Sequence, residues 1–142
     1  METVVDPEPT ALERALLDAL LAGDHPFLAA LRLQYSAAVP VSRESSGAGF
    51  FLSFAVPPHI PRVTPPGFTV SDVFFDLGGL PNGGGGAALF VRDGAIDFLE
   101  IYTMVGSWPR EEGEWSIHYL HGTRDLDQLS RELRGHLDIA NG

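Results

Sequence analysis

The chain predicts an α+β domain made of an N-terminal helical hairpin, an antiparallel sheet of about five to six strands, and a C-terminal helix. Three observations carry that prediction. Helical periodicity is confined to the two ends, the middle alternates with a period of two, and the strand-like runs are joined by glycine- and proline-rich turns rather than helices. The 142 residues and 15.3 kDa fit one domain that can bury most of its apolar surface. No internal repeat or linker divides it. The expected organisation is a flexible leader over residues 1–9, rich in proline and acid, followed by a single α+β domain over 10–142.

Thr10-Ala11-Leu12-Glu13 fits a capping box, in which hydroxyl and carboxylate each satisfy a free backbone N–H at the start of a helix. Leu12, Leu16 and Leu20, widened by Leu17 and Leu21, give that helix one apolar stripe, and Gly23 can end it. Asp24-His25-Pro26 restarts helix with proline at the first helical position, and Phe27, Leu31 and Tyr35 share its inner face.

From Val39 the period changes. Val39–Glu44 reads as a short edge strand carrying Pro40, then Ser45–Gly49 turns the chain. Phe50, Leu52, Phe54 and Val56 then alternate with Phe51, Ser53 and Ala55. Pro57–Gly67 holds five prolines and reads as a stiff surface loop before the strand Phe68–Leu77. Ala87–Arg92 and Ala95–Met104 flank Asp93-Gly94, the two-residue hairpin signature. A simple register opposes Val91 to Ile96, Leu89 to Phe98, Phe90 to Asp97 and Ala88 to Leu99. Both faces are then partly apolar, as in central strands covered on each side. Trp115–Leu120 alternates as a last strand. From about Asp125 to Ile139, Leu126, Leu129, Leu133 and Leu137 form a helical seam, with Asp127 and Arg131 as an outer ion pair.

Composition excludes several function classes. The formal charge of −10 at pH 7 repels phosphate backbones and anionic lipid, so neither nucleic acid nor a membrane is an expected partner; such a charge favours a basic protein partner, and plain solubility accounts for it equally simply. Cysteine is absent, which removes disulfides, thiolate catalysis and cysteine-based zinc sites. All nine basic residues are arginine, so there is neither a Schiff-base lysine nor a phosphate-loop lysine. The acidic first residues lack the basic region of a secretory signal, and no apolar run spans a bilayer. A cytoplasmic protein with no cofactor and no metal is the expectation.

The run Gly83–Gly86 leads into a strand, not a helix N-terminus, and so reads as a mobile connection rather than a phosphate cradle. His118 and His121 lie three apart on or beside a strand and point to opposite faces, which argues against a metal pair. Ser, His and Asp occur without a nucleophile elbow. Glu100 is the most informative residue, because in the simple register it shares a face with Ile96, Phe98 and Tyr102. An inward face would make it a carboxylate among apolar groups, able to act as a general acid or base or to anchor a ligand. An inward Leu99/Ile101 face would leave it solvated, and a salt bridge to Arg43 or Arg92 is the intermediate case. Trp115 reads as core, while Trp108, in a polar loop beside Pro109, could rim a groove. The candidate binding set is therefore Arg43, Glu100, Tyr102, Trp108 and His118, with Glu100 the single candidate for catalysis.

Gly47-Ala48-Gly49-Phe50-Phe51, and Leu89 to Thr103 followed by Trp108-Pro109, together resemble a family of small bacterial proteins of unknown function. Its hairpin has the form LF-x-x-DG-x-I-x-x-LEGYT before WP. Here Ile101 stands where glycine is usual and Met104 where an aromatic is usual. The resemblance covers residues 47–109 and implies no activity. Two functions follow as expectations. One is a non-catalytic protein-binding domain, of which an immunity-type partner of a basic toxin is a specific form. The other is a small enzyme or ligand-binding domain with a pocket around Glu100 and Tyr102.

Overall fold

The computed structural model describes residues 3–80, 84–120 and 122–141, with side chains up to residue 135. Its elements run β1 (Thr3–Val5), α1 (Ala11–Leu21), α2 (Pro26–Ala37), β2 (Val39–Ser45), β3 (Gly49–Ala55), β4 (Phe68–Leu77), β5 (Gly84–Arg92), β6 (Ala95–Thr103), β7 (Trp115–Tyr119) and α3 (Leu126–Asn141). The strands form one antiparallel sheet in the order β1-β2-β3-β6-β5-β4-β7. The α+β architecture with helices at both ends is as expected, but the sheet has seven strands rather than five to six.

The added strand lies in the stretch read as a leader. Thr3–Val5 pairs with Ser42–Glu44, so the second half of β2 is not an edge. Three residues are too few to show alternation. The Asp6 N–H then donates to the Val41 carbonyl at 2.9 Å, and Asp6 turns the chain with a positive φ of 50°.

The helices cover one face of the sheet. Thr10 and Glu13 form the capping box that starts α1, with bonds of 3.1 and 2.7 Å. His25 caps α2, its Nδ1 accepting from the Phe27 N–H. Leu16, Leu17 and Leu20 of α1 and Leu28 and Leu31 of α2 are fully buried against Leu52, Val73, Phe75, Leu89 and Leu99. Each such side chain contributes roughly 2 kcal/mol relative to exposure. In α3, Leu129 and Leu133 are buried and Leu126 packs beside them; Leu137 lies outside the described side chains. Arg131 donates to Gln128 rather than pairing with Asp127.

The Asp93-Gly94 hairpin forms, with both residues at positive φ. Its register departs from the simple one. Val91 opposes Ile96, but Phe90 opposes Phe98, Leu89 opposes Leu99 and Ala88 opposes Glu100. Asp97 is the extra residue of a β-bulge, which moves every later side chain of β6 to the other face. Ile96 is thus buried with Leu99, Ile101 and Thr103, whereas Phe98, Glu100 and Tyr102 face away from the helices.

Gly84–Gly86 belong to β5 and are not a connection; Pro81, Asn82 and Gly83 lie outside the described residues. Their lack of side chains is what the sheet needs. A Cβ on Gly85 would lie 2.0 Å from the Tyr102 carbonyl oxygen and 2.7 Å from the Phe75 ring, and one on Gly86 would lie 2.3 Å from the Tyr102 hydroxyl. The rings of Phe75 and Tyr102 occupy the space the glycines leave, on opposite faces.

Candidate functional site

The sheet face turned away from the helices is built by alternation on six strands. Row by row, Ser53, Phe98, Phe90 and Thr69 stand side by side, as do Glu44, Phe51, Glu100 and Ala88, then Tyr102, Gly86, Phe74 and His118. Phe51, Phe74, Phe90, Phe98 and Tyr102 are each only partly buried, and none belongs to the core under the helices. Phe90 and Phe98 stack with ring centres 4.3 Å apart, and Phe51 meets Phe98 edge-on at 5.9 Å. The Arg92 guanidinium lies 5.2 Å over Phe98 and pairs with Asp97 at 3.6 Å. His118 stacks on Phe74 at 6.2 Å, with Asp76 3.7 Å from its Nδ1. The result is a rigid aromatic strip bordered by Glu44, Asp76, Asp97 and Glu100.

Of the candidate set, Glu100, Tyr102 and His118 share this face, while Arg43 and Trp108 do not. Arg43 points to the helix side, where it grips the buried Glu13: Nε donates to Oε2 at 2.9 Å, Nη2 donates to Oε1, and Nη2 also donates to the Glu8 carbonyl. That hydrogen bond to Glu13 raises the guanidinium pKa further above its ordinary range. Trp108 packs between Phe50 and Phe75, at 5.2 and 6.0 Å, closing one end of the core. Trp115, read as core, is instead among the exposed large side chains, because β7 is the sheet's outer strand.

Glu100 is partly exposed, and neither Arg43 nor Arg92 pairs with it, since each is engaged elsewhere. Among the described residues no Arg or His lies within hydrogen-bond reach of its carboxylate. It acts on Tyr102: burial chiefly, and the Glu100 charge second, push the phenol above its ordinary pKa of 10.0. His121 lies outside the described residues. The described residues hold no group of three or more His, Asp or Glu suited to a metal, and no helix long and apolar enough to cross a membrane.

The two sequence segments quoted for the family resemblance assemble with each other. Gly49, Phe50 and Phe51 oppose Tyr102, Ile101 and Glu100, the Trp108 N–H donates to the Gly47 carbonyl at 2.9 Å, and a Cβ on Gly49 would lie 1.7 Å from the Ile101 carbonyl oxygen. The close main-chain approach at Ile101 is thus made possible by Gly49 on the neighbouring strand.

The aromatic face was partly visible as the alternation of Phe51 and Ser53 against Leu52 and Phe54. Phe74, Phe90 and Phe98 could not be placed on it without knowing the bulges that set the register. No protein-family model, no characterised protein and no solved structure matches the chain.

Proposed function

We propose that the chain is a non-catalytic protein-binding domain whose helix-free sheet face receives a basic partner. The observation that carries this reading is the strip of Phe51, Phe74, Phe90, Phe98 and Tyr102, left partly exposed on the helix-free face and bordered by carboxylates. Rigid aromatic area gives binding energy at low entropic cost, and acidic surroundings select the sign of the partner. Arg92 pairs with Asp97 beside Phe98, which offsets both charges and leaves Glu44, Asp76 and Glu100 as the acids in excess at the border. An immunity-type protein that neutralises a basic toxin enzyme is the specific form of this reading, and a toxin-like gene beside this one would support it.

The test compares three baits in pull-downs from the native host: the wild-type chain, Phe98→Asp on the face, and Leu33→Asp as an exposed control on the helix side. A basic protein retained by wild type and control, and weakened by about tenfold or more with Phe98→Asp, is the expected result. Equal retention by all three baits, or capture only of acidic proteins, would overturn the reading.

A further inference from the structure

The sheet leaves part of one strand edge open beside a cleft. Among the described residues, β7 pairs with Val73–Leu77 of β4 and with no other strand. The chain turns away after Leu120, whose N–H donates to the Asp72 carbonyl at 3.1 Å. Residues 69–71 therefore have β5 on one side and, among the described residues, no strand on the other. Successive strand residues turn their N–H and C=O groups to opposite sides, so this stretch directs main-chain donors and acceptors into the cleft. The cleft measures about 460 Å³, and its far wall is Gln128, Leu129 and Glu132 of α3.

Its shape is fixed by Arg124. Asp72 stands in a bulge between Val70 and Val73, and takes the guanidinium in two bonds of 3.0 and 2.7 Å. Arg124 also donates to the Ala22 carbonyl at 2.6 Å and lies 5.1 Å over the Tyr119 ring. Its side chain is only 7% exposed, so this cation is spent on holding β4, α1, β7 and the start of α3 together. Among the described residues, the remaining acids of the wall, Asp125 and Glu132, bond to Gln128 and meet no arginine. Among the described residues, the cleft thus offers an unpaired strand edge, the mostly buried Leu129 as apolar floor and two carboxylates without an arginine partner.

We propose that this cleft takes an extended basic segment of the partner protein, which adds beside residues 69–71 of β4 as a strand in line with β7. The inference rests on the basic-partner reading above and names a second contact for it. Strand addition draws affinity from main-chain hydrogen bonds and specificity from alternate side chains. Here apolar side chains of the segment would meet Leu129, and intervening arginines or lysines would meet Asp125 and Glu132.

The probe is acetyl-Val-Arg-Val-Arg-Val-amide, titrated into the full chain to about 1 mM and followed by amide NMR, the range in which short peptides bind measurably. The expected result is shift changes at Thr69–Asp72 and Gln128–Glu132. Binding should weaken when alternate peptide amides are N-methylated in one register but not in the other, and when exposed Glu132 is replaced in Glu132→Arg. Shifts confined to Phe51, Phe98 and their neighbours would overturn strand addition while leaving the basic-partner reading standing. No shifts anywhere, or equal binding of a glutamate-for-arginine peptide, would overturn the inference outright.

Discussion

Tyr102 lies across the bare main chain of Gly86, with Glu100 two residues earlier on the same face. Partial burial and that nearby carboxylate both penalise the phenolate, so the phenol titrates above 10.0. The folded chain then binds this proton more tightly than the unfolded chain. Its contribution to stability is present in full below about pH 10 and is lost as pH rises through the folded value. The tyrosinate absorbance titration, isolated by subtracting a Tyr102→Phe variant, should show ionisation above 10.0. Glu100→Gln should lower the midpoint without returning it to the ordinary value, since burial is the larger cause. A midpoint indifferent to Glu100→Gln would mean that the carboxylate does not act on the phenol.

At the scale of elements, the central hairpin is supported by a residue far from it in sequence. Gln34 of α2 is fully buried, and its amide makes three bonds: Nε2 donates to the Pro61 and Gly94 carbonyls at 3.0 and 2.8 Å, and Oε1 accepts from the Ile96 N–H at 3.0 Å. The last bond catches the main-chain group beside the Asp97 bulge, so α2 helps hold the bulge that turns Glu100 outward. Gln34→Leu fills similar volume but strands these groups, each costing about 1–3 kcal/mol when buried without a partner. A loss of about 3 kcal/mol in urea unfolding is the expected outcome. An unchanged midpoint would show that Gln34 serves only as core volume. The same residue explains what was legible and what was not. Thr10-Glu13, the leucine stripe and Asp93-Gly94 signal their elements through neighbours in sequence, and all three form. The bulge sits beside a contact between residues 62 positions apart, which no local pattern carries. Glu100 therefore could be named from sequence but not given a face. The leading glycines of β5 misled for the same reason, since their partners are rings on β4 and β6.

Across the whole molecule, the distribution of arginine matters more than its number. Of nine arginines against nineteen acids, Arg43 and Arg124 are largely buried in pairs with Glu13 and Asp72, on the helix side and in the cleft wall. Their pairs are neutral within the fold and leave the net charge of −10 to be expressed by the remaining, mostly exposed groups. The aromatic strip and the cleft beside α3 each carry acids in excess of nearby cations, so an approaching basic protein meets one sign of charge at both. Long-range attraction of this kind acts on encounter rather than on the docked contacts, and salt screens it over about 8 Å at physiological strength. With the partner recovered in the pull-down, the association rate should fall by about tenfold between low and physiological salt, with a much smaller change in dissociation. Phe98→Asp should do the reverse, since it removes contact area: association changes little, and dissociation quickens. Stopped-flow measurements across a salt series separate the two. An association rate flat in salt would mean that the acidic surroundings of the face play no part in recognition, and the sign assigned to the partner would have to be given up.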